Sequence, residues 1–130
     1  MKSFTIIELI IAIIIVGILA ALAVNQYTPA RERAVGREAE STLRLIAAAE
    51  RIYRMEIGGY YPLPNTTVTI LKDINDNLKI SLSAQNWTYS ITSNAINNFT
   101  SLADRVGTGG SLDCQYSINQ GDILNQTNCP

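Results

Sequence analysis

The chain has no histidine, two cysteines and one tryptophan in 130 residues, and only 16 per cent of it is charged. Without histidine there is no imidazole base, no Ser-His-Asp triad and no histidine-ligated zinc, and two cysteines cannot make a four-cysteine metal site. The charges nearly cancel, at a net −1, and no basic stripe runs uninterrupted by acids, which argues against nucleic acid as a partner. No Walker-type phosphate loop occurs. Gly107-Thr108-Gly109-Gly110 lacks the lysine and following helix of such a loop, and reads as a turn. The length suits one domain and argues against a two-domain enzyme. These absences point away from catalysis, and no cofactor or metal ion is expected.

What is present is unevenly arranged. Leu9 to Val24 contain no polar side chain, and eleven of the 21 charged residues then fall between Arg31 and Glu56. Phe4 to Val24 is an apolar run broken only by Thr5, Glu8 and Gly17. About 20 such residues span a bilayer core as a helix. A secretory signal is the rival reading, with Lys2 as its positive start and Ala21-Leu22-Ala23 as a small-x-small cleavage site. Against it, Glu8 is misplaced in a signal's front end, and the helical pattern continues past Ala23.

Glu8 is the most informative residue of the run. An acid inside a membrane helix costs roughly 2.5–3.5 kcal/mol, so it normally has a partner or a task. In an isolated monomer it is near enough to the helix start to reach the headgroups. In an assembly it would neutralise a positive group on another copy, the nearest being the amino group freed by a cut just before Phe4.

Lys2-Ser3-Phe4-Thr5-Ile6-Ile7-Glu8-Leu9-Ile10-Ile11 resembles the amino-terminal motif of type IV pilins and of the related pseudopilins of type II secretion. Gly17 to Ala23 and Gln26-Tyr27 resemble the family's continuation, so the likeness covers roughly residues 2 to 27. It implies cleavage between Ser3 and Phe4 by a prepilin peptidase, methylation of the new amino terminus, and a role for Phe4 and Glu8 in subunit assembly. Three departures stand out. Ser3 replaces the family's usual glycine, Met1–Ser3 is shorter than the family's leader, and Asn25 stands where a proline commonly marks a kink. Asn25 keeps its N–H, which favours a straight helix there, while Pro29 offers another place to bend. By charge alone, Arg31, Arg33 and Arg37 would put the carboxyl side in the cytoplasm. The resemblance and the cysteines put the head outside it.

Val35, Ala39, Thr42, Ile46, Ala49, Tyr53 and Ile57 recur at steps of three or four, one face of a continuing helix. Glu40–Arg44 and Glu50–Arg54 have the favourable acid-first spacing of a solvated face. Gly58-Gly59 ends the helix. Beyond it, Val68, Leu71, Ile74 or Asn75, and Leu78 suit a short helix, against a competing strand propensity over Thr66 to Ile70. Trp87, Tyr89 and Ile91 alternate with polar residues as a half-buried strand does. Phe99 to Val106 and Ser111 to Ile118 read as further strands around the glycine turn, with Gln120-Gly121-Asp122 as another turn. The predicted fold class is α+β: a long helix packed on three or four antiparallel strands, as the pilin resemblance also implies. The division is 1–3 leader, 4–27 membrane or filament-core helix, 28–58 amphipathic helix, and 59–130 a β-sheet head.

Cys114 and Cys129 would be free thiols in a reducing cytosol and paired outside it. Pairing would contribute on the order of 3 kcal/mol by closing the loop. Type IV pilins often carry such a carboxyl-terminal disulfide loop, whereas major pseudopilins generally do not. Asp73 to Asn77 superficially resembles a calcium loop but lacks the pattern's glycine and distant glutamate. Asn65, Asn86, Asn98 and Asn125 begin Asn-x-Ser/Thr triplets that this composition produces by chance.

The expectation is therefore a subunit of a type IV pilus-like filament. It is held in the inner membrane before assembly, processed by prepilin peptidase, handled by pilus assembly machinery and polymerised with its own copies. The alternatives are a type II secretion pseudopilin and a membrane-anchored or secreted monomeric binding module. Intact mass of the protein sheared from the cell surface should correspond to a chain starting at Phe4, plus one methyl and minus two hydrogens. A mass starting at Val24 would instead mean an ordinary signal peptide.

Overall fold

The computed structural model describes residues 4–106 and 114–129, with the backbone alone at positions 24–26 and 28. One long helix, α1 (Ile6–Ile57), carries an antiparallel sheet on its second half. After it come β1 (Thr66–Val68), α2 (Leu71–Leu78), β2 (Trp87–Ala95), β3 (Asn98–Arg105), β4 (Gln115–Asn119) and β5 (Leu124–Thr127). The five strands form a meander, each hydrogen-bonded to the next in sequence order. This is the expected α+β class with a larger sheet: β1 and β5 are short edge strands, and β5 carries too few apolar residues to signal itself.

Both ends of α1 are set by local chemistry. Thr5 is an extended N-cap, and Gly58 closes the helix in the left-handed region (φ 91°), its N–H bonding the Arg54 carbonyl at 2.8 Å. Glycine takes that conformation without the Cβ clash of other residues. Between the caps the helix is continuous for 52 residues, through Asn25 and with Pro29 inside it. At 1.5 Å per residue that is about 78 Å. Pro29 removes one intrahelical hydrogen bond, and the helix runs on past the gap.

The sheet's inner face is built in rows. Ile91, Ser101 and Ile118 lie opposite one another across β2, β3 and β4, as do Tyr89, Ala103 and Tyr116, and all six are buried. The central strand contributes the small members of both rows. On α1 the facing residues include Gly36, Ala39 and Ala47, with Leu43 and Ile46 between them, all buried. Small residues on both surfaces let helix and sheet approach closely. At Gly36 a Cβ would stand 2.7 Å from the Tyr116 hydroxyl, so a side chain there would force the Tyr116 ring or the helix to shift.

The expected helix face is mostly correct, with two corrections. Val35, Ala39, Ile46 and Ala49 are buried, and Thr42 and Tyr53 half-buried, but Ile57 is exposed. The second concerns charge. Glu40 pairs with Arg44 at 3.0 Å as the spacing suggests, whereas Glu50 is buried and makes no pair with Arg54. The Arg54 guanidinium instead lies over the Tyr60 ring and bonds its hydroxyl at 3.2 Å. Thr66 to Ile70 divides between the competing propensities: Thr66–Val68 pairs with β2, and helix α2 begins at Leu71, burying Ile74 and Leu78. The Asp73–Asn77 stretch is helical within α2, and Asp76 pairs with Lys72. The glycine turn at 107–110 and the start of the strand expected from Ser111 lie outside the described residues. From Gln115 that strand is β4.

Candidate functional site

The first half of α1 is covered by none of the described residues. Ile6–Ala23 has a mean hydropathy of 3.0, and none of it is buried. It is long and apolar enough to cross a membrane, a property shared by membrane anchors and secretory signals. Phe4, just before the cap, is 79 per cent exposed.

Within this surface Glu8 is the one charged side chain, and the fold gives it a local occupation. It stands three residues after Thr5 and closes a capping box. Its Oε2 accepts the Thr5 N–H at 2.9 Å and the Thr5 hydroxyl at 2.7 Å, while its own N–H donates to Thr5 Oγ1 at 3.3 Å. Two backbone donors that a helix start leaves unpaired are thereby satisfied. The spacing Thr5-x-x-Glu8 carries this signal in the sequence, where the apolar surroundings drew attention to charge instead. The carboxylate remains exposed, so capping leaves it open to a group from outside the chain.

The other expected site residues lie elsewhere. Ser3 is outside the described residues. Cys114 and Cys129 form a disulfide with Cα atoms 4.6 Å apart, tying the start of β4 to the chain just after β5. Phe4 and Glu8 are therefore together at one end of α1, and the disulfide is in the head. From Glu8 to Glu32, where the head first touches the helix, is about 36 Å along α1 at its helical rise.

Polar contacts between residues far apart in the sequence fix the head on the helix. Arg105, at the end of β3, bonds Glu32 of α1 at 3.3 Å; their side chains are 8 and 12 per cent exposed. Arg105 Nη1 also bonds the Asn86 carbonyl at 3.0 Å, and its guanidinium covers the Trp87 ring. Beside it Trp87 donates from Nε1 to the Val35 carbonyl at 2.9 Å, and Asn86 donates to Glu38 at 2.9 Å. This cluster pins the sheet where the free helix emerges. At the far end the Tyr61 N–H bonds Glu50 Oε2 at 2.8 Å, which holds the turn after α1 against the core.

No family model, no curated protein and no solved structure matches this chain.

Glu50 is titratable as well as buried. Removal from water, only partly offset by the Tyr61 N–H, pushes its carboxyl from an ordinary 4.5 up to about 8. Its second oxygen, Oε1, has no hydrogen-bond partner among the described residues, which suits a neutral acid better than a carboxylate. Between these two values the unfolded chain releases the proton and the folded chain keeps it. Stability should therefore fall as pH rises through that window, by up to about 1.4 kcal/mol per pH unit. Glu50→Gln keeps an oxygen for Tyr61 and cannot ionise. Melting of the full chain in detergent, followed from pH 5 to 9, should fall with pH in the parent and stay nearly flat in the variant. Equal slopes in the two would contradict this role for Glu50.

Proposed function

We propose that this chain is a structural subunit of a type IV pilus-like filament and not an enzyme. It is anchored by Ile6–Ala23 in the inner membrane with its head outside the cytoplasm, then assembled into a surface filament through the same helix. The observation that carries this reading is the exposed apolar half of α1 with Glu8 at its start. A lone lipid anchor uses an acid there only as the cap it forms with Thr5, whereas a helix that must later find neighbours also uses its charge. The resemblance of residues 2 to 27 to type IV pilins supports the same reading.

Assembly then follows from burial and charge. Packing the spans against one another exchanges lipid contact for helix contact, a change that leaves small differences in apolar energy to decide register. In that dry setting Glu8 is strongly disfavoured unless a cation meets it. The amino group of Phe4, freed when the prepilin peptidase cuts after Ser3, is the cation best placed on an adjacent copy. Each new subunit would be held at the axial position where its carboxylate finds that group.

The Cys114–Cys129 disulfide fits a head that works outside the reducing cytosol. It also favours a pilus over a type II secretion pseudopilus, whose major subunits generally lack such a loop. The chain would enter the filament as many identical copies, its machinery partners acting on the membrane form.

Glu8→Gln separates the two roles of the acid. Glutamine still closes a capping box but carries no charge. Breaking a buried ion pair by removing one partner costs about 3–5 kcal/mol. The variant should therefore accumulate in the membrane, folded and disulfide-bonded, while filaments sheared from cells fall below detection. Filaments at the parent's yield would sink the pairing role and leave Glu8 as a helix cap.

A further inference from the structure

The head half of α1 has a second apolar surface, on the side turned away from the sheet. Ser41, Leu45, Ala48, Ile52 and Met55 are all exposed, Leu45 at 47, Ile52 at 55 and Met55 at 79 per cent. Their steps are four, three, four and three residues, the seam spacing of a left-handed coiled coil. Ala39, Leu43, Ile46 and Glu50 occupy the opposite side of the same turns and are buried on the sheet. The head thus uses one face of the helix and leaves the other as a continuous stripe. Lipid does not cover it, since Leu45 lies 22 residues beyond Ala23, about 33 Å along the helix.

The flanks of the stripe carry opposite charge. On one side Arg37, Arg44 and Arg51 recur every seven residues and are exposed, Arg44 paired with Glu40 at 3.0 Å and Arg51 with Asp122 at 2.6 Å within the chain. On the other stands Glu56, at the mouth of a groove of about 230 Å³ between α1 and the end of α2, lined also by Leu45, Ile52 and Ile80 and by Lys79, whose ammonium bonds the Asp76 carbonyl at 2.7 Å. Two copies packed stripe to stripe and parallel would set Arg51 of each beside Glu56 of the other, the pairing that flanks a parallel seam. Packed antiparallel they would set arginine row against arginine row.

We infer that this stripe is a pairing surface for the same stripe on a second copy, making a parallel side-by-side dimer of the anchored chain. The membrane favours it twice: anchoring makes neighbours parallel and raises their effective concentration, so that a seam too short to hold two free chains suffices. The inference rests on Ile6–Ala23 acting as an anchor, and not on filament formation.

Cross-linking of single-cysteine variants tests it, in full chains with the native disulfide intact, reconstituted in lipid vesicles. Ala48→Cys should form covalent dimers under mild oxidation several-fold faster than Thr100→Cys, which is exposed on the sheet's outer face. Adding Arg51→Glu to Ala48→Cys should slow that cross-linking, and adding Glu56→Arg as well should restore it. A helix that merely misfolded would not be rescued by the second charge change. If Ala48→Cys cross-links only to Ile15→Cys in mixed vesicles, the stripe takes a neighbour's span and the symmetric pair is overturned. Equal rates for Ala48→Cys and Thr100→Cys would also overturn it. Absence of filaments in cells alongside efficient Ala48→Cys dimers would defeat the filament reading and leave the pairing standing.

Discussion

The structure depends on an imbalance along one helix. A continuous α1 of about 78 Å, by its helical rise, is far longer than the five-stranded head it serves. Its second half buries a face on the sheet, and its first half buries none. Apolar surface on that scale does not stay in water, because each exposed leucine or isoleucine side chain forgoes roughly 1.5–3 kcal/mol of burial. Its surroundings must be lipid, other protein, or each in turn. Everything proposed for the chain follows from how that surface is covered and from the single acid placed in it.

The head is held on the second half of the helix by close packing and by polar contacts at both ends. Small residues on β3 and on α1 bring the helix close to the sheet, and the Glu32–Arg105 contact fixes the point where the two part. Two long charged side chains in so little solvent are costly unless paired; Glu32 is met by Arg105, and Arg105 also bonds the Asn86 carbonyl and covers the Trp87 ring. At the other end Glu50 holds the turn after the helix through the Tyr61 N–H. Apolar packing supplies the attraction, and these polar contacts select one placement of helix on sheet.

Much of this was legible in the sequence, and the gaps have physical causes. The apolar run, the amphipathic continuation and the stop at Gly58 are local signals read at helical spacing, and each stands where it was expected. The alternation from Trp87 to Ile91 likewise marked β2. Strand β5 was not legible, because an edge strand of Leu-Asn-Gln-Thr is held by pairing with β4 and has no pattern of its own. Glu50 was misread because the acid-first spacing to Arg54 is real, but only the sheet determines which turns of the helix meet solvent. Arg105 and Glu32 lie 73 residues apart, and nothing local joins them. For the site, Glu8 stood out by its apolar company, while its hydrogen bonds to Thr5 became plain only with the helix start in place.

The measurement that bears most directly on the account is an electron cryo-microscopy reconstruction of filaments built from this chain. The Ile6–Ala23 helices should pack together along the filament axis, each Glu8 carboxylate within hydrogen-bond reach of the Phe4 amino group of an adjacent copy. Filaments whose apolar helices lie apart from one another, or whose Glu8 faces no cation, would contradict it.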